Sequence, residues 1–166
     1  GRSSKAPAWL EALSYQAPQE TLIDAQLGYA TRWYQFPEHS PHEWKTMLVQ
    51  TRPTEKLYRG GGMFVVEDNR LVLTLIGANK DYPPTDAEGF LNFAKSLKSP
   101  IIYDIIKDLQ PISPIYGYRQ MENRYRHYEK LSHLPENFIV IGDAACAFNP
   151  VYGQGMTAAA IEAIEL

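Results

Sequence analysis

Apolar and polar positions change rhythm several times along this chain of 166 residues, and each rhythm predicts an element. Pro7 followed by Ala8-Trp9-Leu10-Glu11-Ala12-Leu13 suits a short helix, with proline in the first turn, where its missing N–H costs nothing. From Thr21 to Phe36 bulky and β-branched residues alternate, predicting one long strand or two joined at Gly28. Trp44–Thr51 and Gly62–Glu67 read as further strands, and Asp68-Asn69 predicts a tight turn into Arg70–Ile76, a hairpin. In that last run Leu71, Leu73 and Leu75 point one way and Val72, Thr74 and Ile76 the other. Both faces are largely apolar, which predicts a central place in the sheet.

The period then lengthens. Thr85 and Glu88 have the spacing of a capping box, and Ala87, Phe90, Leu91, Ala94 and Leu97 trace one helical face. Ser99-Pro100 opens a second helix, with Ile101, Ile102, Ile105, Ile106 and Leu109 inward and Pro111 beyond its end. Strand-like segments return at Ile112–Gln120 and Arg124–Tyr128. This succession predicts an α+β fold, mostly antiparallel sheet with packed helices, followed by a C-terminal strand–loop–helix.

That C-terminal segment carries the densest chemistry. Phe138–Val140 is a short apolar run predicted as a buried strand, ending in Ile141-Gly142-Asp143-Ala144-Ala145. A loop through Pro150 follows, and Gly153-Gln154-Gly155-Met156 opens an alanine-rich helix. Asp143 has only acceptor oxygens, so its natural partner is a hydroxyl or a backbone amide. Gly153 and Gly155 let a bulky group approach bare backbone, and the helix start offers unpaired N–H groups to a carbonyl or phosphate oxygen. The same residues also suit an ordinary capped helix in which Asp143 satisfies local amides.

Gly142-Asp143-Ala144-Ala145, then Pro150, then Gly153-Gln154-Gly155-Met156, resembles the second flavin-contact motif of the FAD-dependent monooxygenases, the aromatic-hydroxylase family typified by p-hydroxybenzoate hydroxylase. The resemblance implies that Asp143 binds a ribityl hydroxyl of FAD, with Pro150, Gly153, Gln154, Gly155 and Met156 beside the isoalloxazine ring. Gly1-Arg2-Ser3-Ser4 resembles the tail of the family's Asp-Gly motif, without the preceding Asp. Gly60-Gly61-Gly62 lacks the spacing of a dinucleotide fingerprint, so the chain is expected to be a piece of a larger flavoenzyme without its N-terminal dinucleotide-binding part. The implied organisation is a substrate-domain portion over residues 1–136 and a strand–loop–helix of the FAD-binding domain over 137–166. The implied reaction is hydroxylation or epoxidation of an organic substrate with NAD(P)H as reductant and O2 as oxidant. A fragment with half a cofactor site is expected to be inactive and to retain little or no flavin.

Two other readings stay open. Trp33-Tyr34-Gln35-Phe36-Pro37 loosely resembles a segment of flavin-dependent reductases of the geranylgeranyl-reductase type, and the isolated chain also suits a non-catalytic ligand-binding module. The tryptophan-rich signature of flavin halogenases is absent among Trp9, Trp33 and Trp44. Tyr29, Thr31 and Trp33 share one strand face and could line a substrate pocket, or be ordinary cross-strand packing.

Composition excludes more than it adds. Hydrophobic and charged fractions of 45% and 21% fit a globular domain, and a net charge of -3 gives no electrostatic reason to expect nucleic acid. Arg124-Tyr125-Arg126-His127-Tyr128 is therefore expected to be a solvated strand face. No apolar stretch is long enough to span a bilayer, and the single cysteine, Cys146, fits a reducing, cytoplasmic setting as a small, partly buried thiol. His39 and His42 have metal-ligand spacing without a supporting Cys or carboxylate cluster, so no metal is expected. No general base or other catalytic residue stands out.

Overall fold

In the computed structural model, the residues described are 1–37, 43–50, 52–56, 58–119 and 122–166. Among them the strands are β1 (Glu20–Ile23), β2 (Gly28–Gln35), β3 (Thr46–Val49), β4 (Arg59–Val66), β5 (Arg70–Gly77), β6 (Tyr116–Tyr118), β7 (Asn123–Arg126) and β8 (Cys146–Ala147). The helices are α1 (Ala6–Ala12), α2 (Ala87–Lys95), α3 (Ile101–Ile106) and α4 (Gly155–Ile164). With two antiparallel sheets and these helices, the fold class is α+β. No helix among the described residues is long and apolar enough to cross a membrane.

The chain divides into two compact units, Ala25–Gln120 and the pair of segments Gly1–Asp24 and Met121–Leu166. The border expected after residue 136 falls inside the second of these. The run Thr21–Phe36 divides into β1 and β2, which belong to different sheets.

The unit Ala25–Gln120 holds an antiparallel sheet in the order β3-β4-β5-β2-β6, so β5 is central, as its two apolar faces predict. The turn from β4 uses left-handed φ at Asp68 (58°) and Asn69 (49°), residue types that visit this region more readily than most. Leu71, Leu73 and Leu75 are wholly buried, beside Ala30, Tyr34 and Met63 of the flanking strands. Phe90, Phe93 and Ala94 of α2, Leu97 just past it, and Ile102 and Ile106 of α3 complete this core. Each fully buried Leu, Ile, Met or Phe side chain among them contributes about 1.5–3 kcal/mol by leaving water. Ala87, expected on the inward face of α2, is exposed. The expected capping box is corrected as well. The helix begins at Ala87, so Asp86 is the cap and its carboxylate accepts the Gly89 N–H at 2.7 Å.

Among the described residues the strand predicted over Ile112–Gln120 shortens to β6, and Gln120 lies outside them. Residues 111–113 still follow β2, where the Ile112 N–H donates to the Trp33 carbonyl and the Ser113 hydroxyl accepts from Trp33 N–H. Pro114 has no N–H with which to continue the ladder.

The other unit holds a three-stranded antiparallel sheet, β1-β7-β8, with α1 and α4. Leu10 anchors α1 at 1% exposure. Thr21 Oγ1 lies 2.8 Å from His127 Nε2, and His127 Nδ1 lies 2.7 Å from Glu129, tying β1 to the end of β7. The buried strand expected at Phe138–Val140 is corrected: the segment pairs with no described strand, and Ile139 and Ile141 are 65% and 40% exposed. An apolar run becomes a strand only where a neighbour offers its ladder.

Candidate functional site

The C-terminal motif folds into a turn held against a helix start. After the extended Ile141, Gly142 takes φ 60°, a region costing a non-glycine residue roughly 1–2 kcal/mol. Gly142–Ala144 then form one 3₁₀ turn, closed by the Ala145 N–H on the Gly142 carbonyl. The Gly142 N–H donates to the Glu162 carboxylate, which reaches back from the far half of α4. This bond draws the turn onto the helix, so that Asp143 Oδ1 lies 3.4 Å from where a Cβ on Gly155 would stand. The carboxylate therefore sits beside the first residue of α4.

The connecting loop is fixed by a buried side chain. Asn149, 2% exposed, accepts the Val151 N–H at 3.0 Å, and its own N–H donates to Asn123 Oδ1 at 2.9 Å. Pro150 opens the 3₁₀ turn Pro150–Tyr152, and Gly153 with φ 64° swings the chain into α4. Gln154 stands at the N-cap without a side-chain capping bond, so the first N–H groups of α4 keep free hydrogen-bonding capacity there. A Cβ on Gly153 would meet nothing within 4 Å, and Met156 is 87% exposed. The mouth is open.

Beneath the turn, arginines supply donors to loop carbonyls. Arg126, 4% exposed, donates through Nη1 to the Ala144 carbonyl at 2.8 Å and through Nε to Glu20 at 2.7 Å. Arg2 donates to the carbonyls of Glu122 (2.6 Å) and Phe148 (2.7 Å). Arg124 pairs with Glu122 and Glu20. The solvated face expected over Arg124–Tyr128 is thus corrected. Arg126 is an internal brace, because an irregular buried loop needs donors and arginine carries five. Cys146 is half-buried, and burial, then the nearby Glu162 and Asp143 carboxylates, push its thiol up, away from a reactive thiolate.

Of the expected site residues, Gly142, Asp143 and Gly155 are brought together directly, and Pro150, Gly153, Gln154 and Met156 form the loop and helix start next to them. Glu162, Arg126, Asn123 and Asn149 also hold the site together, and Arg2, from the N-terminal segment, braces its loop. Asn149 lies in the loop itself and Glu162 on the helix that opens the site, while Arg126 and Asn123 reach it from another segment and no sequence spacing marks them. His39 and His42 lie outside the described residues. Among the described residues no group of three His, Cys, Asp or Glu side chains is placed to hold a metal.

The second set of expected residues lies in the other unit. Tyr29, Thr31 and Trp33 stand on the face of β2 opposite the core, half-buried, across from Ile76, Thr74 and Val72. Thr31 Oγ1 and Thr74 Oγ1 bond each other at 2.7 Å, and the Arg70 guanidinium lies 5.6 Å from the Trp33 ring centre. Burial pushes the Tyr29 hydroxyl up to about 12. Tyr116 and Tyr118, which pair with Thr31 and Tyr29, extend this face at 58% and 44% exposure.

No protein-family model matches the chain. Protein Rv3254 of Mycobacterium tuberculosis (strain ATCC 25618 / H37Rv) is 30% identical over 163 residues, covering 98% of this chain and 34% of that protein. The flavin-dependent brominase Bmp2 superposes with a TM-score of 0.67 at 12% identity, covering 98% of this chain and 39% of its own. OxyS anhydrotetracycline hydroxylase from Streptomyces rimosus superposes at 0.52 with 16% identity, covering 93% and 28%. The chain thus spans about a third of the length of the curated relative it matches. Its fold is that of a segment found in flavin-dependent halogenases and hydroxylase-like flavoproteins.

Proposed function

We propose that this chain is part of an FAD-dependent monooxygenase, contributing one edge of the flavin site and a portion that shapes the substrate pocket. The observation that carries the reading is the Asp143 carboxylate held beside the open N-terminus of α4. An acceptor next to unpaired N–H groups suits a ligand with a hydroxyl chain joined to a ring bearing carbonyl oxygens, which describes the ribityl–isoalloxazine half of FAD. Asp143 would hold a ribityl hydroxyl. The backbone from Gly153 to Met156 would meet the ring edge, with Pro150 at its side and Gln154 at the helix mouth. Gly142 and Glu162 keep the turn in register.

When bound, FAD would supply reduction by NAD(P)H and use of O2; this chain would orient and shield. The aromatic face carrying Tyr29, Thr31 and Trp33 suits an organic substrate, because it presents flat apolar rings beside a few hydroxyl donors. The likeness to a brominase carries no activity across at 12% identity.

Titrating the 166-residue chain with FAD and with riboflavin, read by amide shifts, tests the site. Saturable shifts confined to residues 142–143 and 153–156 are expected, weak because the adenine and pyrophosphate contacts are not part of the proposed edge. Absence of shifts there at millimolar riboflavin would overturn the assignment. Purification of the chain yellow, with about one flavin per chain, would instead overturn the expectation that it retains little or none.

A further inference from the structure

The unit Ala25–Gln120 contains a second chemical feature, away from its aromatic face. A cleft of about 210 Å3 is lined by Lys56, Tyr58, Arg59, Asp81, Ser96 and Lys98. Arg59 is fixed there from several directions. Its Nε and Nη2 donate to the two oxygens of Asp81 at 2.6 and 2.9 Å, and its Nη1 donates to Ser96 Oγ at 2.7 Å. Its guanidinium carbon lies 4.5 Å from the Phe93 ring centre. Ser96 is itself anchored, donating to the Phe93 carbonyl at 2.7 Å. Three of the five N–H groups of Arg59 are engaged, and two have no acceptor among the described residues.

Charge around the cleft is unbalanced. Glu55 is shared between Arg52 at 3.1 Å and Lys98 at 3.6 Å, while Lys56 makes no ion pair among the described residues. The four cations Arg52, Lys56, Arg59 and Lys98 face the two carboxylates Glu55 and Asp81, a local excess of two positive charges. The chain as a whole carries -3, so this is a reversal of sign at one place. A pre-set guanidinium with spare donors, the ammonium groups of Lys56 and Lys98 and the Tyr58 side chain line a space too polar for an apolar guest.

We propose that this cleft binds a phosphate group, either free phosphate or the head of a phosphate monoester. A tetrahedral dianion has the charge to match the local excess and enough acceptor oxygens to engage Lys56, Lys98, Tyr58 and the spare Arg59 donors together. The volume leaves room for the first atoms of an ester group. The site is independent of the flavin reading, since it lies on different residues of the other unit.

The test is a titration of the 166-residue chain, followed by amide shifts at Tyr58, Arg59, Ser96 and Lys98, with inorganic phosphate and with methyl phosphate at constant ionic strength. Saturable shifts with a Kd of about 1–5 mM are expected, weakening as salt rises. Tighter binding of methyl phosphate assigns the site to an ester, and tighter binding of inorganic phosphate to the free ion. The exposed-residue variants Lys56→Gln and Lys98→Gln, which disturb no core packing, should each weaken binding about threefold to tenfold. Shifts that fail to saturate by 50 mM (about ten times the expected Kd), that chloride reproduces, or that survive unchanged in the double variant overturn the proposal.

Discussion

Replacing Arg126 by alanine is the sharpest test of how the site is held. Arg126 is 4% exposed, and its guanidinium joins the Glu20 carboxylate at 2.7 Å to the Ala144 carbonyl at 2.8 Å. Removing one partner of a buried ion pair costs about 3–5 kcal/mol, because the other charge is stranded. Here the lower end applies, since Glu20 is 31% exposed and can recover water. The Ala144 carbonyl has less recourse, and an unsatisfied buried acceptor alone costs about 1–3 kcal/mol. A loss of about 3 kcal/mol confined to one unit is therefore expected, or about a hundredfold faster exchange of its protected amides. The readout is native-state hydrogen exchange. His127 N–H, which donates to the Gln19 carbonyl, and the amide of residue 126, which donates to the Ala145 carbonyl, should both accelerate. Amides pairing β4 with β5 lie in the other unit and should change by less than about 0.5 kcal/mol. Exchange unchanged at residues 126 and 127, or accelerated equally in both units, would refute the brace.

Two further outcomes follow from the same geometry. Glu162→Ala should free the Gly142 N–H and lower the protection of that amide by about 1–3 kcal/mol, whereas Glu162→Gln, which keeps an acceptor, should lose less; equal protection in all three proteins would show that the carboxylate does not hold the turn. Tyr29 should ionise near 12 rather than 10, so Tyr29→Phe should remove one step from the high-pH end of an ultraviolet tyrosinate titration. Because the folded value is raised, its contribution to stability is intact below pH 10 and fades as pH rises from about 10 to about 12, where the unfolded chain releases the proton first. Disappearance of a step near pH 10 instead would mean that Tyr29 is solvated.

Much of this protein was set by its own local pattern. The alternation in Arg70–Gly77 fixed which leucines enter the core, and Asp68-Asn69 made the turn before it. The proline at the start of α1 and the apolar period of α2 and α3 marked those helices. Gly153 announced where the backbone bends unusually and stands open, since only chain geometry and steric size are involved. Tertiary structure decided the rest. Whether Phe138–Ile141 forms a strand depends on a neighbour's ladder, which no pattern within the segment encodes. Arg124 and Arg126 look like surface residues until the carbonyls of a loop about twenty residues away turn towards Arg126 and two glutamates reach Arg124. The Asp143 turn rests on Glu162 from the same helix it faces, and the Lys56–Arg59–Lys98 cleft joins residues some forty positions apart. Hydrogen bonds and charge pairs between distant segments depend on where the folded backbone carries them, and spacing along a chain does not record that.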